Sequence, residues 1–119
     1  MTEAIVVLTN CPDAACADAL AALLVERRLA ACVNILAPCR SVYRWQDKTE
    51  TAAEVPLLIK TTPVRYAELE AAIRENHPYE LPEIIAVPVM RGLPGYLDWV
   101  AAETAPLPDN DDDAGSTAS

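Results

Sequence analysis

Ser41-Val42-Tyr43-Arg44-Trp45-Gln46-Asp47-Lys48-Thr49-Glu50-Thr51-Ala52-Ala53-Glu54-Val55-Pro56-Leu57-Leu58-Ile59-Lys60-Thr61 decides the fold. Val42 and Arg44 alternate with Tyr43 and Trp45, the period-two pattern of a strand whose faces differ. Gln46-Asp47-Lys48 reads as a turn, and Thr49–Thr61 returns as the partner strand. Upstream, Ala31-Cys32-Val33-Asn34-Ile35-Leu36 begins the same outgoing strand, and Pro38 interrupts it. A hairpin this long does not fit inside a small sheet, whose strands usually run about five or six residues. Part of it must protrude and seek a partner.

The flanking segments complete the pattern. Ala4-Ile5-Val6-Val7-Leu8 is a continuous apolar run, as expected of a strand central in a sheet. After Asn10-Cys11-Pro12, Asp13 is placed to cap a helix with the stripe Cys16, Leu20, Leu23 and Leu24, ending near Leu29 with Arg27 and Arg28 in its last turns. Thr62 and Pro63 predict the N-cap and first position of a second helix with the stripe Tyr66, Leu69 and Ile73. Glu83–Val89 follows as a strand, and Pro88 marks it as an edge or bulge. After Gly92, Tyr96, Trp99 and Val100 line one side of a short last helix. The order is β-α-β-β-α-β plus a terminal helix: an α+β, ferredoxin-like fold with a long hairpin between its second and third strands. Two helices cover one face of such a sheet. The other face has only the short last helix, so its apolar side chains form the kind of patch that marks self-association.

Between the second helix and the last strand lies Asn76-His77-Pro78-Tyr79-Glu80-Leu81-Pro82-Glu83, a stiff loop that holds the single histidine of the chain. Pro78 and Pro82 restrict their own φ and bias His77 and Leu81 toward extended backbone. The loop therefore displays imidazole, phenol and carboxylate groups together, chemistry that suits a metal, a small ligand or a well-made turn.

Composition excludes some partners. The 119 residues, 52% hydrophobic, suit one domain. A net charge of −9 argues against nucleic acid and anionic membrane surfaces. Asp109, Asp111, Asp112 and Asp113 carry four of those charges, and residues 104–119 read as a solvated, disordered acidic tail behind a domain of residues 1–103. The apolar run Ala4–Leu8 is too short for a membrane span and has no basic segment before it, so a cytoplasmic location is expected. Cys11, Cys16, Cys32 and Cys39 form no C-x-x-C pair, and disulfides are not expected. Cys16 and Cys32 read as buried small hydrophobes, whereas Cys11 and Cys39, beside Pro12 and Pro38, sit in turn contexts with greater exposure.

Seven segments in this order and spacing resemble the CutA divalent-cation-tolerance family over about residues 3–103. They are Asn10–Asp13, Leu29–Ile35, Ser41–Trp45, the carboxylates Glu50 and Glu54, Leu58–Thr62, His77–Ile84 and Tyr96–Trp99. The resemblance implies a compact homotrimer of ferredoxin-like subunits, the long hairpin reaching a neighbour's sheet, in an architecture like that of the PII signalling proteins. It implies a link to tolerance of copper and other divalent cations, or, among animal relatives, to anchoring of a membrane enzyme, with no firmly attached catalytic activity. Family members credited with copper binding carry a cysteine at the end of the first strand and a His-His pair before Pro-Tyr. Here those positions hold Thr9, Asn76 and His77.

His77, with Cys11 nearby in sequence, is thus the candidate site for a weakly bound copper or other divalent ion, set against a structural histidine bonded to backbone. Tyr43, Trp45, Tyr79, Tyr96 and Trp99 read as interface aromatics or as the walls of a ligand pocket. Glu50, Glu54, Lys60, Glu80 and Glu83 read as inter-strand or inter-subunit ion pairs, or as carboxylates converging on a hard cation or an ammonium group. With three glycines there is no phosphate loop, and a Cys11–His77 dyad has no third group to orient it, so no enzymatic activity is expected. Two functions remain: a trimer of divalent-cation homeostasis, and a PII-like trimer that binds a small effector or partner in its inter-subunit clefts.

Overall fold

The computed structural model describes residues 3–107. The elements are β1 (Ile5–Cys11), α1 (Ala14–Glu26), β2 (Cys32–Ile35), β3 (Cys39–Trp45), β4 (Lys48–Thr61), a 3₁₀ turn (Pro63–Arg65), α2 (Tyr66–Asn76), β5 (Ile85–Pro88) and α3 (Pro94–Glu103). The ferredoxin-like order holds, with the second strand split by Pro38 into β2 and β3. Both pair antiparallel with β4, β2 with its inner half and β3 with its outer half. The sheet runs β2-β4-β1-β5, and β5 is an edge, so Pro88 fits without an inner neighbour.

β1 and β4 lie at the centre, in register from Ile5↔Thr61 to Cys11↔Val55. Alternation sends Val7, Thr9 and Cys11 of β1, and Val55, Leu57, Ile59 and Thr61 of β4, toward the helices, where all are buried. α1 supplies Ala17, Leu20, Ala21 and Leu24 to that core, and α2 supplies Leu69, Ala72 and Ile73. The opposite face carries Val6, Leu8 and Leu58, with Leu8 opposite both Leu58 and Ile85, and Val6 opposite Val87. Ile85 and Val87 are about half exposed, at 52% and 46%.

Asp13 caps α1 as its sequence predicts, its Oδ1 accepting from the Cys16 N–H at 2.8 Å. The helix stops at Glu26, sooner than the basic residues suggest, because Arg28 adopts the left-handed region at φ 60°. The Arg28 N–H reaches Val25 O and the Leu29 N–H reaches Leu24 O, the Schellman closure that glycine usually makes. From there the Arg28 guanidinium donates to Ala102 O and Ala105 O at the end of α3. One arginine therefore closes two helices. Thr104 is buried, with its hydroxyl donating to Val100 O. Thr104 and Ala105, assigned to the solvated tail from sequence, are thus held to the body, and residues 108–119 lie outside the described residues.

Other expectations shift locally. Thr62 makes no side-chain cap bond, because Pro63 opens a 3₁₀ turn before α2 begins. The hairpin turn is two residues, Gln46 and Asp47, both at positive φ, and Lys48 already belongs to β4. The last strand begins at Ile85, which leaves Glu83 in the loop. β3 buries neither face within the protomer: Val42, Tyr43 and Trp45 are all exposed. In α3 only Val100 is buried, while Tyr96 and Trp99 remain exposed, their rings in a tilted contact with centroids 5.6 Å apart. The hairpin projects, as its length requires, and gives the protomer a longest dimension of 53 Å.

Candidate functional site

His77 ends α2 in extended backbone, as the following proline demands. That turn swings its ring inward, where the residue is only 8% exposed. Nε2 lies 2.6 Å from the Asn10 carbonyl, and Nδ1 lies 3.1 Å from the Tyr79 N–H. A carbonyl only accepts and an N–H only donates, so the ring is the Nε2–H tautomer, donating to Asn10 and accepting from Tyr79. Both ring nitrogens are committed. The imidazole ties the loop to the end of β1 and packs against the Tyr79 ring at 4.7 Å.

Tyr79 in turn reaches β4. Its hydroxyl donates to Glu54 Oε2 at 3.1 Å. Burial, and then this bond to a carboxylate, push the phenol up to about 12, so it stays a neutral donor at physiological pH. Glu54 is only 9% exposed. A third link joins the loop's far end to β1, with Asn10 Nδ2 donating to Glu83 Oε1 at 3.0 Å. Three side-chain links thus hold one rigid loop against the point where β1 meets the outer half of β4.

Between this loop and the hairpin lies an open groove of about 770 Å³. Tyr43, Trp45, Glu54, Tyr79, Glu80 and Glu83 line it, together with Asn10, Ser41 and the loop prolines. Six of the candidates proposed from sequence are therefore brought to one place. Glu50 sits opposite Tyr43 farther out on the hairpin, and Tyr96 and Trp99 lie on α3. Lys60 is at the inner end of β4, its amine donating to Asn34 Oδ1. Among the described residues Lys60 makes no ion pair with these glutamates: it lies six residues from Glu54 along β4, and Glu54 and Glu83 bond instead to Tyr79 and Asn10. Asn10 and Ser41 were missed from sequence. Asn10 stood only within a matching junction segment, with nothing to mark it as the acceptor for His77 and the donor to Glu83.

The candidate metal ligands fare differently. Cys11, expected in an exposed turn context, is the last residue of β1 and is wholly buried. Burial first, and then the neighbouring Cys16 thiol, push its thiol up to about 12, so it is not a thiolate. Thr9 is buried with its hydroxyl unpartnered, and a neutral hydroxyl is a poor copper ligand. The Asn76 amide donates back to Ala72 O at 2.8 Å, closing its own helix. Among the described residues no three His, Cys, Asp or Glu side chains converge as a metal site. The residues at the expected copper positions do not fit copper in this protomer.

The model of the CutA1 divalent ion tolerance protein family matches residues 5–103. The chain belongs to this family. It is 42% identical over 102 residues to the divalent-cation tolerance protein CutA of Pectobacterium atrosepticum, a match covering 86% of this chain and 93% of that protein. The divalent cation tolerance protein from Thermus thermophilus superposes with a TM-score of 0.84 at 42% identity, covering 86% of this chain and 99% of that one. The periplasmic divalent cation tolerance protein CutA from Archaeoglobus fulgidus superposes with a TM-score of 0.82 at 35% identity, over 85% of this chain and 98% of that one. Among the described residues no helix is long and apolar enough to cross a membrane.

Proposed function

We propose that this chain serves tolerance of divalent cations as a non-catalytic homotrimer, with a PII-like arrangement of subunits and a cytoplasmic location. The observation that carries the assembly is the bare sheet face and hairpin. Val42 on β3, Ile85 and Val87 on β5, and Met90 and Leu93 in the segment after it are all exposed. Apolar surface of this extent seeks a partner, and the free edges of β3 and β5 offer backbone for pairing with a second copy. Tolerance comes from the likeness to relatives so named.

Copper, or any other divalent ion that the trimer meets, is on this proposal held weakly and exchangeably, at positions that neighbouring subunits complete. A resident metal would need three or four ligands, and His77 must first give up a backbone hydrogen bond to supply one. The second function, a PII-like trimer that binds an effector, is favoured by the groove of about 770 Å³, a size usual for small-molecule sites.

Complementation tests the role. A bacterial strain lacking its own CutA and carrying this chain should regain growth on elevated copper, zinc or cobalt, and unchanged sensitivity would refute the role. Titration of the purified protein with Cu(I), Cu(II) and Zn(II) tests the metal claim. Weak, exchangeable binding is expected, and one equivalent per chain retained through chelation and dialysis would overturn it.

A further inference from the structure

The side chains at the expected copper positions do other work in this chain. Alternation along β1 turns Thr9 and Cys11 beneath the helices, where Thr9 pairs across the sheet with Leu57 and its hydroxyl has no partner. Asn76 is turned back on its own helix. His77 is the remaining nitrogen donor, and two contacts decide the state of its ring. Nε2 carries the proton that goes to the Asn10 carbonyl at 2.6 Å, and Nδ1 takes the Tyr79 N–H at 3.1 Å.

A neutral imidazole has one lone pair in the ring plane to offer a cation, on the nitrogen that lacks the proton. A ligating histidine typically donates its other N–H to a carbonyl, as His77 does to Asn10, and leaves the bare nitrogen open toward the metal. Here a backbone N–H of the same loop closes that bare nitrogen. Pro78, between the two residues, has a fixed φ and no N–H of its own, so the short His-Pro-Tyr step folds back on the ring. The ring is buried and lies against the Tyr79 ring at 4.7 Å. A cation at Nδ1 would displace the Tyr79 N–H and leave it without its partner.

We infer that the expected copper position of this chain is a latch and not a metal site. His77 is a positioning residue that clamps residues 76–83 to the end of β1 by one donated and one accepted hydrogen bond, and cations that the protein meets bind without it. Asn10 takes the imidazole at its carbonyl and gives its own side-chain amide to Glu83, so a single residue of β1 holds both ends of the loop. Through Tyr79 the latch also sets the hydroxyl that meets Glu54. The inference narrows where the weakly held cations of the tolerance reading can sit, while its geometry stands on the protomer alone.

Glutamine separates the two roles, since its side-chain amide can donate to Asn10 and accept from Tyr79 yet is a poor ligand for copper or zinc. In amide hydrogen exchange on the full chain, the Tyr79 N–H should exchange about tenfold or more faster in His77→Ala and near the wild-type rate in His77→Gln. The amides of Leu57 and Ile59, in the core of β4, should be unchanged in both. Affinity for Cu(I) and Zn(II) should stay within about twofold of wild type in both variants. In the wild-type chain the ring nitrogen chemical shifts should report a bare Nδ1 and a protonated Nε2, and Zn(II) should leave them unmoved. The inference is overturned if metal affinity falls about tenfold or more in both variants, or if Zn(II) shifts the ring nitrogens, since either result makes His77 a ligand. Unchanged exchange at Tyr79 in His77→Ala would overturn the latch, as would His77→Gln exchanging as fast as His77→Ala. The ring shifts need no variant, so they decide the question even where His77→Ala folds poorly. Complementation on metals reads the tolerance role alone, so the two failures are distinguishable.

Discussion

The inner and outer halves of β4 obey different rules. From Val55 to Thr61 the strand pairs with β1, and from Leu57 to Lys60 with β2 on its other edge as well, and its alternate residues disappear beneath α1 and α2. From Lys48 to Ala53 it has β3 alone, and the aromatic side chains across from it stand in solvent. Glu54 sits at the junction, buried like the inner half but charged like the outer. The inner half is a self-sufficient core. The outer half is a surface built to be completed by something else, and the groove opens where the two meet.

Substitutions should separate the halves. Leu57→Ala removes a wholly buried side chain from the inner half and should destabilise folding by about 2–5 kcal/mol in urea melts. Trp45→Ala in the outer half should weaken self-association by about 2 kcal/mol or more, read by sedimentation across a dilution series, while far-UV circular dichroism stays native. If Trp45→Ala keeps wild-type oligomeric state and thermal stability, the outer half is not the assembly surface.

The junction should respond more mildly. Tyr79→Phe removes the donor to Glu54 and should cost about 1.5–3 kcal/mol, the range for a bond to a charged group. His77→Ala leaves a carbonyl and an N–H without their partner and should cost a similar amount while leaving a folded protein. Alkaline pH acts on the same junction. Burial pushes the Cys11 thiol and the Tyr79 phenol up to about 12 in the folded chain, above their ordinary values of 9.0 and 10.0, so the folded state holds these protons more tightly. Their stabilisation is fully present below pH 9 and is lost as pH rises from there through about 12. Melting temperature should therefore be insensitive to these groups at neutral pH and fall above pH 9, and Cys11→Ala should flatten the first part of that fall.

The fold was legible because its signals are local and repeat. The period-two run Val42–Trp45 of β3, the cap at Asp13 and the prolines at 38, 63 and 88 each fix one element, and their order leaves one topology. The site was legible only in part. Aromatic and acidic residues could be named, but which of them meet depends on β4 register, which sets Glu54 beneath Tyr79 and leaves Lys60 six residues away. Cys11 was placed in a turn because Pro12 follows it, whereas pairing with Val55 keeps it in the strand and buries it. Arg28 looked like an ordinary basic residue in a last turn. Nothing local announces that it adopts a left-handed conformation to reach α3.

Sedimentation equilibrium of the wild-type chain at micromolar concentration, repeated at successive dilutions, tests the central claim that the outer half and bare sheet face are completed by copies of the same chain. The account predicts a single species of about three times the 12.8 kDa chain mass, persisting until the protein unfolds. A stable folded monomer of 12.8 kDa would contradict it.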